Sequence, residues 1–275
     1  MSTSVVDSKT TLVALQGLKS ANTDASRASE RLATGLRINR AGDDPVGLGK
    51  AATLKAELGS YQQVKRNINV ALNDMDKVTG GLSSIMDYLI EMRTLALSAA
   101  AESDSAVRTN YNTTFQELAT GITDIVGSVK FGTEAVLSTG TAQSVQVGIN
   151  ASDTKSVAIS AATITAMGVS AVALTTTTGA TSALTAVESA IDIVAGNLAK
   201  VGGLQKSLET SSDLADSDIL SRSAQYGDIV NADLALEASN LAAAKIRQDS
   251  ATAVLAQANS MNRNIADYLL NGALG

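Results

Sequence analysis

The stretch VKRNINVALNDMDKVTGGLSSIMDYLIEMRTLALSA (residues 64–99) decides the fold. Its apolar residues fall at Val64, Ile68, Ala71, Met75, Val78, Leu82, Ile85, Leu89, Met92, Ala96 and Ala99. The steps alternate between four and three without a break, which is the seam of a helix packed as in a coiled coil. The pattern predicts one helix of about 36 residues, roughly 54 Å long. Gly80-Gly81 interrupts it and costs about 1–2 kcal/mol of helix propensity, so packing must carry the helix across that point.

Further stripes lie downstream. Ala101-Glu102-Ser103-Asp104-Ser105 reads as a turn that caps a new helix, seamed by Val107, Tyr111, Phe115, Leu118, Ile122, Ile125 and Val129. A third stripe takes in Leu184, Val187, Ile191, Val194, Leu198, Val201, Leu208, Ala215, Ile219, Tyr226 and Ile229. Three long amphipathic helices should pack side by side. Between them charge nearly vanishes. Residues 144–149 and 156–160 alternate with period two around the turn residues 150–153, predicting a small β-hairpin ahead of the Thr-rich loop 175–179.

The chain ends carry weaker seams. Leu15, Leu18, Asn22, Ala25, Ser29, Leu32 and Leu36 form one. Ala243, Ile246, Ser250, Val254, Ala258, Met261, Ile265 and Leu269 form the other. Such Ala- and Ser-rich faces gain little burial alone, and isolated helices are marginal in water. The two ends therefore want partners and can pair with each other. Leu15, Leu18, Leu32, Leu36, Ala243, Ile246, Val254, Ala258, Met261, Ile265 and Leu269 become the candidate inter-subunit assembly seam. The fold class is mainly α: long antiparallel coiled-coil-like helices from both chain ends, with a small β-hairpin region in the middle. Its segments are 1–40, 41–130, 131–181, 182–230 and 231–275.

Composition narrows the chemistry. Of 275 residues only 3% are aromatic, with no Trp, so thin helix–helix seams replace a thick core. One proline, Pro45, permits long helices. The absence of Cys and His removes disulfides, thiolate sites and the commonest general base, so no catalytic residue, metal site or cofactor is expected. The net charge of −6 and scattered Lys and Arg predict no nucleic-acid partner. The N-terminus lacks the pattern of a cleaved secretory signal, and no apolar run predicts membrane insertion. Composition alone reads as cytoplasmic.

Local motifs take structural readings. Gly42 ends a helix, Asp44 caps the next and Pro45 fits its first position. Asp213, Asp216 and Asp218 lack the glycine and closing Glu of a calcium loop. The glycosylation triplets at Asn112 and Asn150 are common by chance.

Several segments together resemble bacterial flagellin. Glu30-Arg31-Leu32-Ala33-Thr34-Gly35-Leu36-Arg37-Ile38-Asn39 is similar to the family's N-terminal pattern, and Gly42-Asp43-Asp44 sits at its Asp-Asp loop. Glu237-Ala238-Ser239-Asn240-Leu241 and Ala253-Val254-Leu255-Ala256-Gln257-Ala258-Asn259 resemble its C-terminal signature. The resemblance implies a homopolymer: terminal segments forming an inner coiled coil, the long helices and hairpin a shell, and a middle too short for outer domains. It implies a secreted, extracellular subunit of the bacterial flagellum. The partners it implies are the export apparatus, a secretion chaperone and the hook-associated cap and junction proteins. Asp44-Pro45-Val46-Gly47 is closer to the hook-filament junction protein, the alternative reading. The family also implies an immune-receptor contact at Arg93 and Leu97. Its acidic third member is replaced by Thr114 or displaced to Glu117.

Overall fold

The computed structural model describes residues 3–140 and 142–272. Five long helices are α1 (Thr3–Thr34), α2 (Pro45–Ala101), α3 (Ser105–Ser128), α5 (Thr177–Val230) and α6 (Leu234–Gly272). The single turn α4 (Val136–Thr139) and four short strands complete the described elements: β1 (Lys130–Phe131), β2 (Glu134–Ala135), β3 (Ala142–Gln146) and β4 (Thr154–Ala158). The chain divides into two compact units, residues 57–221 and residues 1–56 with 222–275.

The 57–221 unit is built on the seam that opened the sequence reading. All eleven positions from Val64 to Ala99 are buried, none more than 8% exposed. Gly81 belongs to that packing, because a Cβ there would lie 2.5 Å from a methyl of Val129. The turn after α2 forms where expected: Glu102 accepts hydrogen bonds from the Ser103 and Asp104 amides, and Asp104 caps α3 by accepting from Ala106 N at 2.8 Å. Phe115 and Ile122 on α3, and Val129 just past its end, are buried as the stripe predicts, but Ala119 and Val126 take the buried places expected of Leu118 and Ile125, which are only partly buried.

The third stripe is half displaced. Val187, Val194, Val201, Leu208 and Ala215 are buried, but the intervening positions are Ala183, Ala190, Asn197 and Leu204. Leu184, Ile191 and Leu198 are only partly buried beside them. The smaller residues let α5 approach closely, and the larger ones flank the contact. Asn197, 1% exposed, is a polar residue inside this seam. Its Oδ1 accepts from Ser160 N at 3.0 Å and its Nδ2 donates to Ser160 O at 2.8 Å. The side-chain amide thus pairs with a backbone as a neighbouring strand would.

That backbone, at Ser160, closes the stretch expected to form the hairpin's second strand but lies past the end of β4. After β4 the chain inserts Ile159, Ala162, Met167, Val169 and Leu174 into the core. Side chains of α3 hold its far end: Asn112 Oδ1 accepts from Leu174 N, and Gln116 Nε2 donates to Val172 O. The hairpin itself is found, with β3 antiparallel to β4 and Ala142 opposite Ala158. Both strands begin two residues earlier than expected, β3 ending at Gln146, whose amide folds over to donate to Gly148 O at 2.8 Å, and β4 at Ala158. The two-residue hairpin β1–β2 around Gly132 was not predicted. The Thr run is exposed but not wholly loop: α5 begins within it, and Thr176 Oγ1 accepts from Gly179 N at 3.0 Å.

In the other unit, α1 and α6 pack antiparallel, pairing Asp24 with Arg247 and Arg31 with Glu237. α1 ends at Gly35, whose φ of 69° is the left-handed conformation expected just past a helix. The next residues run beside the end of α5: Arg37 N donates to Val230 O, Ala232 N donates to Gly35 O, and Leu36 bridges Asn231. Asp43 accepts from the Asn39 and Arg40 amides, and Asp44 Oδ1 caps α2 through Gly47 N at 2.8 Å. The backbone bonds from Arg40 and Asn39, in that order, hold the Asp43 carboxyl below the usual aspartate range.

Candidate assembly surface on the paired terminal helices

The α1 stripe facing α6 runs through Ala14, Leu18, Ala21, Ala25, Ala28 and Leu32, with the alanines at 14, 21 and 28 fully buried. The α6 stripe runs through Glu237, Leu241, Ala244, Gln248, Ala251, Leu255 and Ala258. The expected pairing of the two ends is present, on a face rotated from the expected one. Leu18, Leu32 and Ala258 lie on the pairing stripes. Leu15, Ala243, Ile246, Val254 and Met261 do not: they are exposed, Ile246 at 66% and Val254 at 51%. Leu36 is half-buried at its bridge to Asn231, and the side chains of Ile265 and Leu269 lie outside the described residues. The displacement has a steric cause. Alanine lets two helix backbones come close, so the small residues take the contact and the branched ones are turned out.

What is turned out matters more than what is paired. Leu12, Val13 and Leu15 on α1, and Ile246, Val254 and Met261 on α6, are large apolar side chains about half exposed or more. Leu234 and Leu236 add to them at the start of α6. A helix pair whose inner seam mixes alanine with only four leucines, and whose outer faces carry leucine, isoleucine and valine, has much hydrophobic burial still to make.

Polar pairs fix the register. Arg31 Nη1 donates to Glu237 Oε1 at 2.9 Å, and Asn240 Nδ2 donates to the other carboxylate oxygen. Glu237 is buried, so its charge needs that partner. Arg247 donates to Asp24 at 3.1 Å, and Gln248 donates to Asn22. The sequence reading missed these pairs. A signal was there: Asp24, Arg27 and Arg31 step by three and four along one face of α1, as Asn240 and Arg247 step by seven along α6.

In the 57–221 unit, Leu97 is 60% exposed, and Arg93 Nη2 donates to Glu188 Oε1 of α5 at 2.9 Å. Thr114 and Glu117 are both exposed on α3.

Among the described residues no group of His, Cys, Asp or Glu could hold a metal ion, and no helix is long and apolar enough to cross a membrane. Long helices, ends that pair weakly with each other, and outward apolar faces define a subunit of a helical polymer.

The model of the bacterial flagellin N-terminal helical region matches residues 8–143, and that of the C-terminal helical region matches residues 184–269. The chain belongs to the bacterial flagellin family. It is 28% identical over 248 residues to a flagellin of Halalkalibacterium halodurans, covering 88% of this chain and 91% of that one. It is 34% identical over 83 residues to the flagellar filament 41 kDa core protein of Borreliella burgdorferi, covering 30% of this chain and 24% of that one. The solved structure of a flagellar hook-associated protein from Vibrio parahaemolyticus matches with a TM-score of 0.59 at 16% identity, over 69% of this chain and all of that one, so the two share a fold. The chain is a filament subunit of the bacterial flagellum, serving motility, and the junction-protein alternative has no better support. The family is structural rather than enzymatic, and the flagellum it builds is an extracellular filament.

Proposed function

We propose that copies of this chain assemble through the outward apolar faces of α1 and α6. The observation that carries this is the exposure of Ile246, Val254 and Met261 along one helix whose pairing stripe is already satisfied by α1. Leu12, Val13 and Leu15 supply the matching face on α1. Leu18, Leu32 and Ala258 act one step earlier, by holding the two helices together, with Leu36 at the loop beyond. Ile265 and Leu269 extend the α6 seam by spacing. In this reading residues 1–40 and 231–275 form the inner core of the filament. Residues 41–130 and 182–230 form its shell, and 131–181 the hairpin and the inserted segment.

Assembly should change how firmly the ends are held. The α1–α6 seam buries mostly methyl groups, so the pair is weak until its outer faces are covered. Hydrogen exchange is expected to show amides of residues 12–34 and 234–264 exchanging readily in the depolymerised subunit and strongly protected in filaments. Residues 64–99 should be protected in both. Equal protection of the ends in the two states would contradict the proposal.

The remaining partners follow from the family: export through the flagellar apparatus with a secretion chaperone, then addition beneath the cap and beyond the junction proteins, outside the cell.

Arg93 and Leu97 remain the proposed immune-receptor contact, and the geometry supports it. They lie one helical turn apart, both accessible, with Leu97 standing out from α2. Two features weaken it. Arg93 is already engaged by Glu188, and Thr114 offers no charge where an acid is expected. A missing anchor can cost about 2 kcal/mol or more. Reporter cells are therefore expected to respond poorly to the monomer beside a flagellin carrying all three residues, and comparable potency would count against the contact.

A further inference from the structure

Beside the α1–α6 seam lies a cavity of about 280 Å³, lined by Asp24, Arg27, Ala28, Arg31, Glu237, Asn240 and Arg247. Three guanidinium groups face two carboxylates. Glu237 is taken by Arg31 and Asp24 by Arg247. Arg27 is left over: it lines the same cavity and makes no ion pair among the described residues.

We propose that this cavity is an oxyanion-binding site centred on Arg27, taking a carboxylate or a phosphate-like group. The chemistry follows from the donors. Guanidinium presents a planar fork of N–H groups that matches two oxygens of a carboxylate or phosphate. The two existing pairs each spend a single guanidinium nitrogen on their acid, so Arg31 and Arg247 keep further N–H donors. The charge of the cavity is positive by one, which a monoanion neutralises. The site is open to solvent: Arg27 is exposed, and the Arg247 and Asp24 side chains are 56% and 38% exposed, so the pairing is screened by salt and an anion must be held by several N–H donors at once. The fixed Arg31–Glu237 and Asp24–Arg247 pairs hold the cavity open in one register. The anion has two possible sources: a free ion from solution, or an acidic side chain of a neighbouring copy.

Filaments provide the test, because the terminal helices are then held together. Helix melting is followed for wild type, Arg27→Gln and Arg27→Lys in inorganic phosphate and in chloride at equal ionic strength. A free-ion site predicts that wild-type filaments melt about 2–4 °C higher in phosphate, the size of one charge-assisted contact. Arg27→Gln should lose that rise and Arg27→Lys keep part of it. A neighbour's carboxylate predicts instead that Arg27→Gln filaments melt lower in both salts, while the depolymerised subunit is unchanged. If Arg27→Gln does not assemble, assembly of Arg27→Lys supports the site and failure of both variants overturns it. The proposal is also overturned if Arg27→Gln filaments match wild type in both salts, or gain equally from phosphate. A failure here leaves the apolar assembly faces untouched, since those are tested at Val254.

Discussion

Val254→Asp subunits are expected to fold and not to polymerise. Val254 lies on α6, half exposed in the single chain, beside the stripe that packs on α1 and not part of it. A charge there meets water in the subunit, so helix content and the melting of residues 57–221 should stay near wild type. In a polymer the same position would be covered. An unpaired carboxylate taken out of water costs several kcal/mol at every copy, and each copy meets the penalty again. The assembly equilibrium should therefore shift by at least about a hundredfold in critical concentration, taking about 3 kcal/mol as the lower bound. Sedimentation and negative-stain microscopy across a concentration series provide the measurement. Val254→Ala, which only trims the contact, should assemble with a modestly raised critical concentration. Leu97→Asp is a control for charge as such, since Leu97 is equally exposed but lies outside the terminal helices. Normal filaments from Val254→Asp would remove α6's outer face from the assembly surface.

The contrast between the two ends and the middle also explains what the sequence could reveal. In α2 the residues that fit the seam are the large apolar ones, so periodicity and burial agree at every position from Val64 to Ala99. In α1 and α6 they disagree. A reader who follows Leu15, Asn22 and Ser29 is led one residue away from Ala14, Ala21 and Ala28, where the backbones meet. Hydrophobicity marks which residues want burial and does not say whether the burial comes from the same chain or from another. Leu18, Leu32 and Ala258 satisfied both criteria and fell on the pairing stripes; Ile246 and Val254 satisfied only the first. The segment from Ala161 to Leu174 was hidden for another reason. It enters the core without regular structure, as single apolar residues separated by Ser, Thr and Gly, and no period announces such a path. What fixes it is a side chain far away in sequence. Asn197 stands beside the expected stripe position Leu198, and it is the residue that recognises the backbone at Ser160.

Asn197→Asp should accordingly be one of the most damaging single-atom changes in the chain, and its effect should depend on pH. In the wild type the amide is matched group for group: Oδ1 accepts from Ser160 N and Nδ2 donates to Ser160 O. Aspartate keeps the first bond and turns the second into two oxygens facing each other. It also places a charge at a position 1% exposed. Lys200, which donates to Ser160 Oγ at 3.3 Å, offers partial compensation from the rim. The loss should be about 3 kcal/mol at neutral pH, lowering the melting temperature by roughly 6–12 °C. Burial and the opposed carbonyl both favour the neutral acid, so the introduced carboxyl has a folded-state pKa above its unfolded value. The sign follows. Below the unfolded pKa the acid is protonated in both states and can donate to Ser160 O as the amide did, so much of the loss is restored. As pH rises through the elevated folded-state pKa, stability falls away. The measurement is the difference in melting temperature between variant and wild type, from about pH 4 to pH 8, which cancels groups common to both. The gap should widen with pH. A gap of constant size would mean that the segment at Ser160, rather than the charge, had moved, and a gap near zero would mean that Asn197 does not hold that segment.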